Sequence, residues 1–71
     1  MLFLITFNPI INGKELKYST ETYLVKADNL ENATKKIFNQ KVTHYDSVNI
    51  LEIQSVDDLD FKDDIAFLFG E

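Results

Sequence analysis

The chain has no cysteine, which removes disulfides and thiolate metal sites together and suits a reducing cytoplasm. Histidine is almost as scarce, with His44 the only imidazole. A metal site draws on two or more ligands at workable spacing, and only Asp46 lies near His44 in sequence. His44 therefore reads as a surface or turn residue. Glycine is confined to Gly13 and Gly70. No glycine-rich loop leads into a helix to cradle a phosphate, and no glycine-framed serine marks an activated nucleophile. No apolar run approaches the roughly 20 residues needed to cross a bilayer. The apolar opening, Met1 to Phe7, lacks the basic start, longer apolar stretch and small-residue cleavage site of a secretory signal. It reads as the native start of a soluble cytoplasmic protein.

Seventy-one residues make one domain, spanning 1–71. Such a chain buries only about 60–65% of its unfolded surface, so its core supplies a few kcal/mol of net stability at most. Without disulfides or a metal, extra stability has to come from oligomerisation or a bound partner. Nine aromatics, six of them Phe, favour a compact core over disorder. With every recurring element of a catalytic site missing, the expectation is a non-enzymatic domain with no cofactor and no metal.

What is present is charge, unevenly placed. The net charge is −5. Residues 1–45 carry six Lys against Glu15, Glu21, Asp28 and Glu31, a balance of +2. Residues 46–71 carry eight carboxylates against Lys62 alone, a balance of −7. A half so acidic repels nucleic acid and attracts a basic surface. The same charge also serves simply to keep a small domain in solution.

The apolar pattern predicts an α+β fold in the order β-β-α-β, with a final β. Leu2 to Phe7 is a strand with Phe3, Ile5 and Phe7 on one face and Leu2 and Leu4 on the other, the pattern of a central strand covered on both sides. Pro9 marks a strand end, a bulge or an edge, past which Ile10 and Ile11 can extend the strand. Asn12-Gly13 is a hairpin signal, because both residues tolerate the positive φ of a tight primed turn. The return strand, from about Glu15 to Ala27, changes period and predicts a bulge or twist near Ser19–Glu21. Asp28 with Glu31 has capping-box spacing. Leu30, Ala33, Ile37 and Phe38 then recur at helical intervals and predict a sheet-facing stripe. The helix should end near Lys41, where positive charge suits its C-terminus, and 44–47 is a loop. Val48 to Val56 is a further strand, apolar on both faces. Residues 57–64 turn, and Ile65 to Phe69 reads as a last strand rather than a helix. One helix covers one face of a sheet. The second face needs the C-terminal segment (Phe61, Ile65, Phe67, Leu68, Phe69), a second copy of the chain, or a target to cover it.

The candidate interaction residues are Asp57, Asp58, Leu59, Asp60, Phe61, Asp63 and Asp64, single apolar side chains set among carboxylates. The segment lacks the central glycine and closing glutamate of a calcium-binding EF-hand loop. Paired carboxylates of a glycosidase need a cleft that so small a domain can hardly shape. Same-face residues lie about 6–7 Å apart on a strand, and helix neighbours about 5–6 Å apart. Phosphates along a DNA strand are spaced comparably. Carboxylates so held can occupy the Lys and Arg groups of a DNA-binding protein, with Leu59 and Phe61 as apolar anchors. The plainer alternative is an acidic connecting loop whose Leu59 and Phe61 pack inward.

The junction from Tyr23 to Ala33, in which a strand ends in an alanine-acidic pair and runs into a capped helix, resembles one found in small bacteriophage proteins of unknown function. The small size, missing cysteines and acidic C-terminal half are similar to phage host-takeover proteins. These include DNA mimics that block the bacterial histone-like protein HU, as well as anti-CRISPR proteins. The resemblance implies an inhibitor acting in the host cytoplasm on a basic, DNA-binding host protein. It assigns no residue. Two other readings stand beside it: an assembly module that dimerises through an apolar sheet face, and a domain that sequesters a small ligand between sheet and C-terminal segment.

Overall fold

The computed structural model describes residues 1–41, 45–57 and 61–70, apart from the side chains of Lys41 and Phe69. The elements run β1 (Leu2–Ile11), β2 (Lys14–Glu15), β3 (Glu21–Lys26), α1 (Leu30–Lys41), β4 (Ser47–Val56) and β5 (Ile65–Gly70). This is an α+β fold with one helix and an antiparallel sheet. β1 sits between β4 on one side and β2 and β3 on the other, and β5 pairs with the far side of β3. The long edges are therefore β4 and β5, and the two-residue β2 is a third, short edge. No helix among the described residues is long and apolar enough to cross a membrane.

Asn12 and Gly13 adopt positive φ, 53° and 75°, the primed turn that matches the twist of antiparallel strands. β1 continues through Pro9 to Ile11, and Pro9 stands opposite Val48 in the β1–β4 register. The Pro9 carbonyl still accepts from the Leu16 N–H at 2.8 Å, so the ring removes a donor without breaking the strand. The return strand is interrupted over residues 16–20 rather than bulged: β2 pairs with Ile10 and Ile11, and β3 pairs with Leu2 to Phe7.

Cross-strand partners share a face of the sheet, so the register sorts the side chains. Phe3, Ile5 and Phe7 lie with Tyr23 and Val25 on the face that receives Ala33 and Ile37 of α1. Ile50, Ile53 and Ile65 complete this core, and Phe7 stacks on Tyr23 with centroids 5.7 Å apart. The expected helix stripe is narrower than its periodicity. Ala33 and Ile37 are fully buried, whereas Leu30 and Phe38 are 52% and 44% exposed. Leu30 begins the helix and Phe38 is turned about 100° from Ile37, so both fall outside the contact with the sheet. The cap also differs from the expected one. Asn29, not Asp28, accepts the Asn32 N–H on its side-chain oxygen at 2.8 Å, because the first helical residue is Leu30.

The far face of the sheet divides in two. Leu2, Leu4, Leu24 and Val56 share one end of it. The other end is polar, with the Thr6 and Thr22 hydroxyls bonded at 3.0 Å and Asn8 opposite Asn49. Among the described residues β5 does not cross this face, although Phe61 approaches it, its carbonyl accepting from Nζ of Lys26, which stands opposite Leu2. Ile65 and Phe67 pair with Val25 and Tyr23, so β5 widens the sheet, and its Phe67 meets Tyr23 edge-on at 5.4 Å.

Gly70 stands opposite Glu21, where a Cβ would come within 2.9 Å of Glu21 Cγ and 3.1 Å of the Thr20 carbonyl oxygen. Gly70→Ala should destabilise the fold by about 1–3 kcal/mol through overpacking. Asn29→Ala should cost about 1 kcal/mol through the lost cap. Urea unfolding of the two variants and their double mutant checks both values, with additive losses expected from such separate sites.

Candidate interaction surface

Three groups of polar side chains stand out, and the acidic C-terminal half supplies one. Val56 ends the edge strand β4 opposite Leu2, and Ile65 opens the opposite edge strand beside Val25. Asp57, Asp63 and Asp64 are exposed and Phe61 is half-buried. Asp58, Leu59 and Asp60 lie outside the described residues, as does His44. The backbone holds the return of this segment. The Lys26 N–H donates to the Asp64 carbonyl at 2.8 Å, and Lys26 Nζ donates to the Phe61 carbonyl at 3.4 Å. The Asp64 carboxylate lies 3.7 Å from Lys36 Nζ in an exposed ion pair, worth at most about 1 kcal/mol. Asp46 differs from the rest, because it accepts the Asn12 N–H while its own N–H donates to the Ile10 carbonyl at 2.9 Å. It ties the hairpin to the start of β4.

Beside this segment runs a groove of about 400 Å³ whose lining includes Lys26, Lys35, Lys36, Asn32, Asn39 and Asp64. Its lysines are engaged locally. Lys36 Nζ donates to the Lys26 carbonyl at 2.6 Å, and Lys35 pairs with Glu31 one helical turn away at 3.5 Å. Among the described residues, no group of three or more His, Asp or Glu side chains is placed to hold a metal ion.

The other two groups lie on opposite faces of the sheet, and neither was apparent from sequence. On the core side, the buried Glu21 carboxylate accepts from the Tyr23 hydroxyl at 3.2 Å and the Tyr45 hydroxyl at 2.6 Å. Residues i and i+2 of a strand share a face, so the Glu21–Tyr23 contact was legible in principle. Tyr45 arrives from 24 residues away and left no local signal. On the far side, Asn8 donates to Glu15 at 2.7 Å and accepts from the Thr20 hydroxyl. The hydrogen bond from Asn8 holds the Glu15 carboxyl below its ordinary value, aided by one from Asn49 and opposed by desolvation. These networks staple the 16–20 interruption and the start of β4 to the sheet. Neither presents a nucleophile and base beside an open cleft.

Comparison of the chain with protein-family models, with curated proteins and with solved structures finds no match.

The Glu15 arrangement predicts a pH response. A carboxyl whose pKa is lowered on folding adds stability above its unfolded pKa and loses it as pH falls through the folded value. Here the loss begins near the ordinary value of 4.5 and continues below it. Carbon-detected NMR titration should place the Glu15 midpoint below the ordinary value, and Asn8→Ala should move it upward. Glu15→Gln should abolish this part of the acid-side decline in stability.

Proposed function

We propose that this chain is a non-enzymatic interaction domain that binds a basic protein through its acidic C-terminal half. The supporting observation is the state of those carboxylates. Asp57, Asp63 and Asp64 are exposed, as is Glu52 on β4, and the one ion pair found among them is Asp64 with Lys36. Exposed carboxylates on so small a body set up a field that steers cations toward it. The partner class with the densest matching charge is a nucleic-acid-binding protein, which the acidic face would engage as a DNA mimic. The bacterial histone-like protein HU is the candidate within that class. The inhibitor reading places the chain with phage proteins that disable host factors. Dimerisation through the far sheet face has less support, since Thr6, Thr22, Asn8, Glu52 and Gln54 make much of that face polar.

The test is competition. The chain should displace a fluorescent DNA duplex from purified HU at low salt, and the effect should fade at high salt as the charges are screened. Replacing Asp57, Asp58, Asp60, Asp63 and Asp64 together by Asn removes five negative charges at nearly constant size. The variant should stay folded, since surface changes cost less than about 0.5 kcal/mol each. It should bind HU at least about tenfold more weakly at low salt, a loss of about 1.4 kcal/mol. Undiminished binding by this variant would reduce the acidic segment to a solubility feature. No competition at any salt would remove HU as the partner.

A further inference from the structure

The two long edges of the sheet are not alike. β4 presents Ser47, Asn49, Glu52, Gln54 and Ser55 along its length, the polar and charged residues that discourage another strand from pairing. β5 reads Ile-Ala-Phe-Leu-Phe-Gly over Ile65–Gly70, with no charge and no proline. Phe67 and Leu68 are 54% and 45% exposed. Among the described residues the strand partner of β5 is β3 alone, so its other side offers unpaired backbone N–H and C=O groups. The helix packs mainly on β3 and β4, and its Lys36, Asn39 and Gln40 come beside β5 at the Ile65 end. β5 is thus an open apolar edge whose immediate neighbours in the sequence are acidic, one of them, Asp64, in an exposed ion pair with Lys36. Asp63 and Asp64 precede it, and Glu71 follows Gly70 in the sequence.

That charge placement selects the occupant. Two copies of β5 would bring together strands whose immediate neighbours in the sequence, Asp63, Asp64 and Glu71, are all acidic, so self-pairing gains no opposite charge across the strands. A strand with an apolar middle and lysine or arginine at its ends supplies that opposite charge. We propose that β5 is a strand-addition site, which extends the sheet by an extended segment of a partner protein whose apolar residues are flanked by basic ones. Main-chain hydrogen bonds along β5 supply affinity, Phe67 and Leu68 supply apolar contact, and the flanking carboxylates supply orientation and selectivity. This rests on the basic-partner reading above and gives that partner a backbone conformation and a docking line.

The probe is a synthetic peptide of the six-residue length of β5, alternating valine and threonine, with paired lysines at each end. A second peptide has serines in place of the lysines. Amide hydrogen exchange read by NMR locates binding. The lysine-ended peptide should slow exchange at the outward-facing amides of Ile65–Gly70 and bind at least about tenfold more tightly than the serine-ended one at low salt. Leu68→Lys, at the register shift of β5, should weaken it about tenfold or more by placing a charge on the edge. Leu51→Lys makes the same change at the register shift of β4 and should have little effect; circular dichroism confirms that both variants fold. Binding of the lysine-ended peptide without protection of β5 would overturn the strand-addition site and leave the charge reading standing. Equal protection by both peptides would overturn the basic-partner reading and with it the proposed selectivity. Self-association of the free chain, abolished by Leu68→Lys and not by Leu51→Lys, would overturn the choice of occupant in favour of a second copy.

Discussion

The alternation of side chains along β1 is the constraint on which the other elements depend. Phe3, Ile5 and Phe7 point to the helix, while Leu2, Leu4 and Thr6 point away. β1 takes β3 on one side and β4 on the other, so its parity dictates the parity of both. A slip of one residue would turn the phenylalanines to the face away from the helix. The primed turn at Asn12-Gly13 fixes one neighbour, and the register shift at Thr6/Phe7 lets β4 follow β1 without losing Ile50 and Ile53 from the core. The Glu15–Asn8 and Glu21–Tyr45 contacts then hold the irregular segments that this parity leaves over.

Much of this architecture was legible because it is local. The turn needed only two residues with tolerance for positive φ, and the strands announced themselves by apolar alternation. What failed was the assumption that periodicity equals burial. Leu30 and Phe38 lie at helical intervals from Ala33 and Ile37, yet the helix touches the sheet along a stripe too narrow to take them. The cap was misplaced by one residue, since Asp28 and Asn29 are both competent caps and only the chain's path decides between them. The far face was expected to need a cover because Leu2 and Leu4 are apolar. Sequence could not reveal that Thr6, Asn8 and Thr22 would make the rest of that face polar and leave β5 free to extend the sheet. Of the candidate binding residues, Asp57, Asp63 and Asp64 are exposed and Phe61 is half-buried. The Glu21–Tyr23 contact was legible from strand alternation, whereas Tyr45 with Glu21 and Asn8 with Glu15 and Thr20 are brought together by the fold rather than by neighbourhood.

The two long edge strands show the same sequence meeting opposite demands. β4 is kept from pairing by its polar residues, while β5 sets Ile65 against the core and Phe67 edge-on to Tyr23 and so has less room for polar substitution. Gly70 tightens that demand, because its missing side chain is what lets β5 lie close to Glu21. An apolar edge is a cost in aggregation risk for any small domain. The carboxylates on either side of β5 in the sequence act as gatekeepers against self-pairing, and the same charges would admit a basic strand.

The position of β1 at the centre of the sheet also sets the order in which the protein can assemble as it leaves the ribosome. Phe3 meets Val25 on one side and Ser55 on the other. Between emergence of those two partners lie roughly 2–6 s of synthesis at ordinary elongation rates. For that interval the chain holds only β1, β2, β3 and α1, and a two-stranded ribbon is marginal in water. The phenylalanines of β1 can meet Tyr23, Val25, Ala33 and Ile37 in that time, but the core stays open until Ile50, Ile53 and Ile65 arrive. Folding is then governed by closure across long sequence separations, the slow class of topology, and the interval before β4 appears is when the chain is most vulnerable to wrong partners.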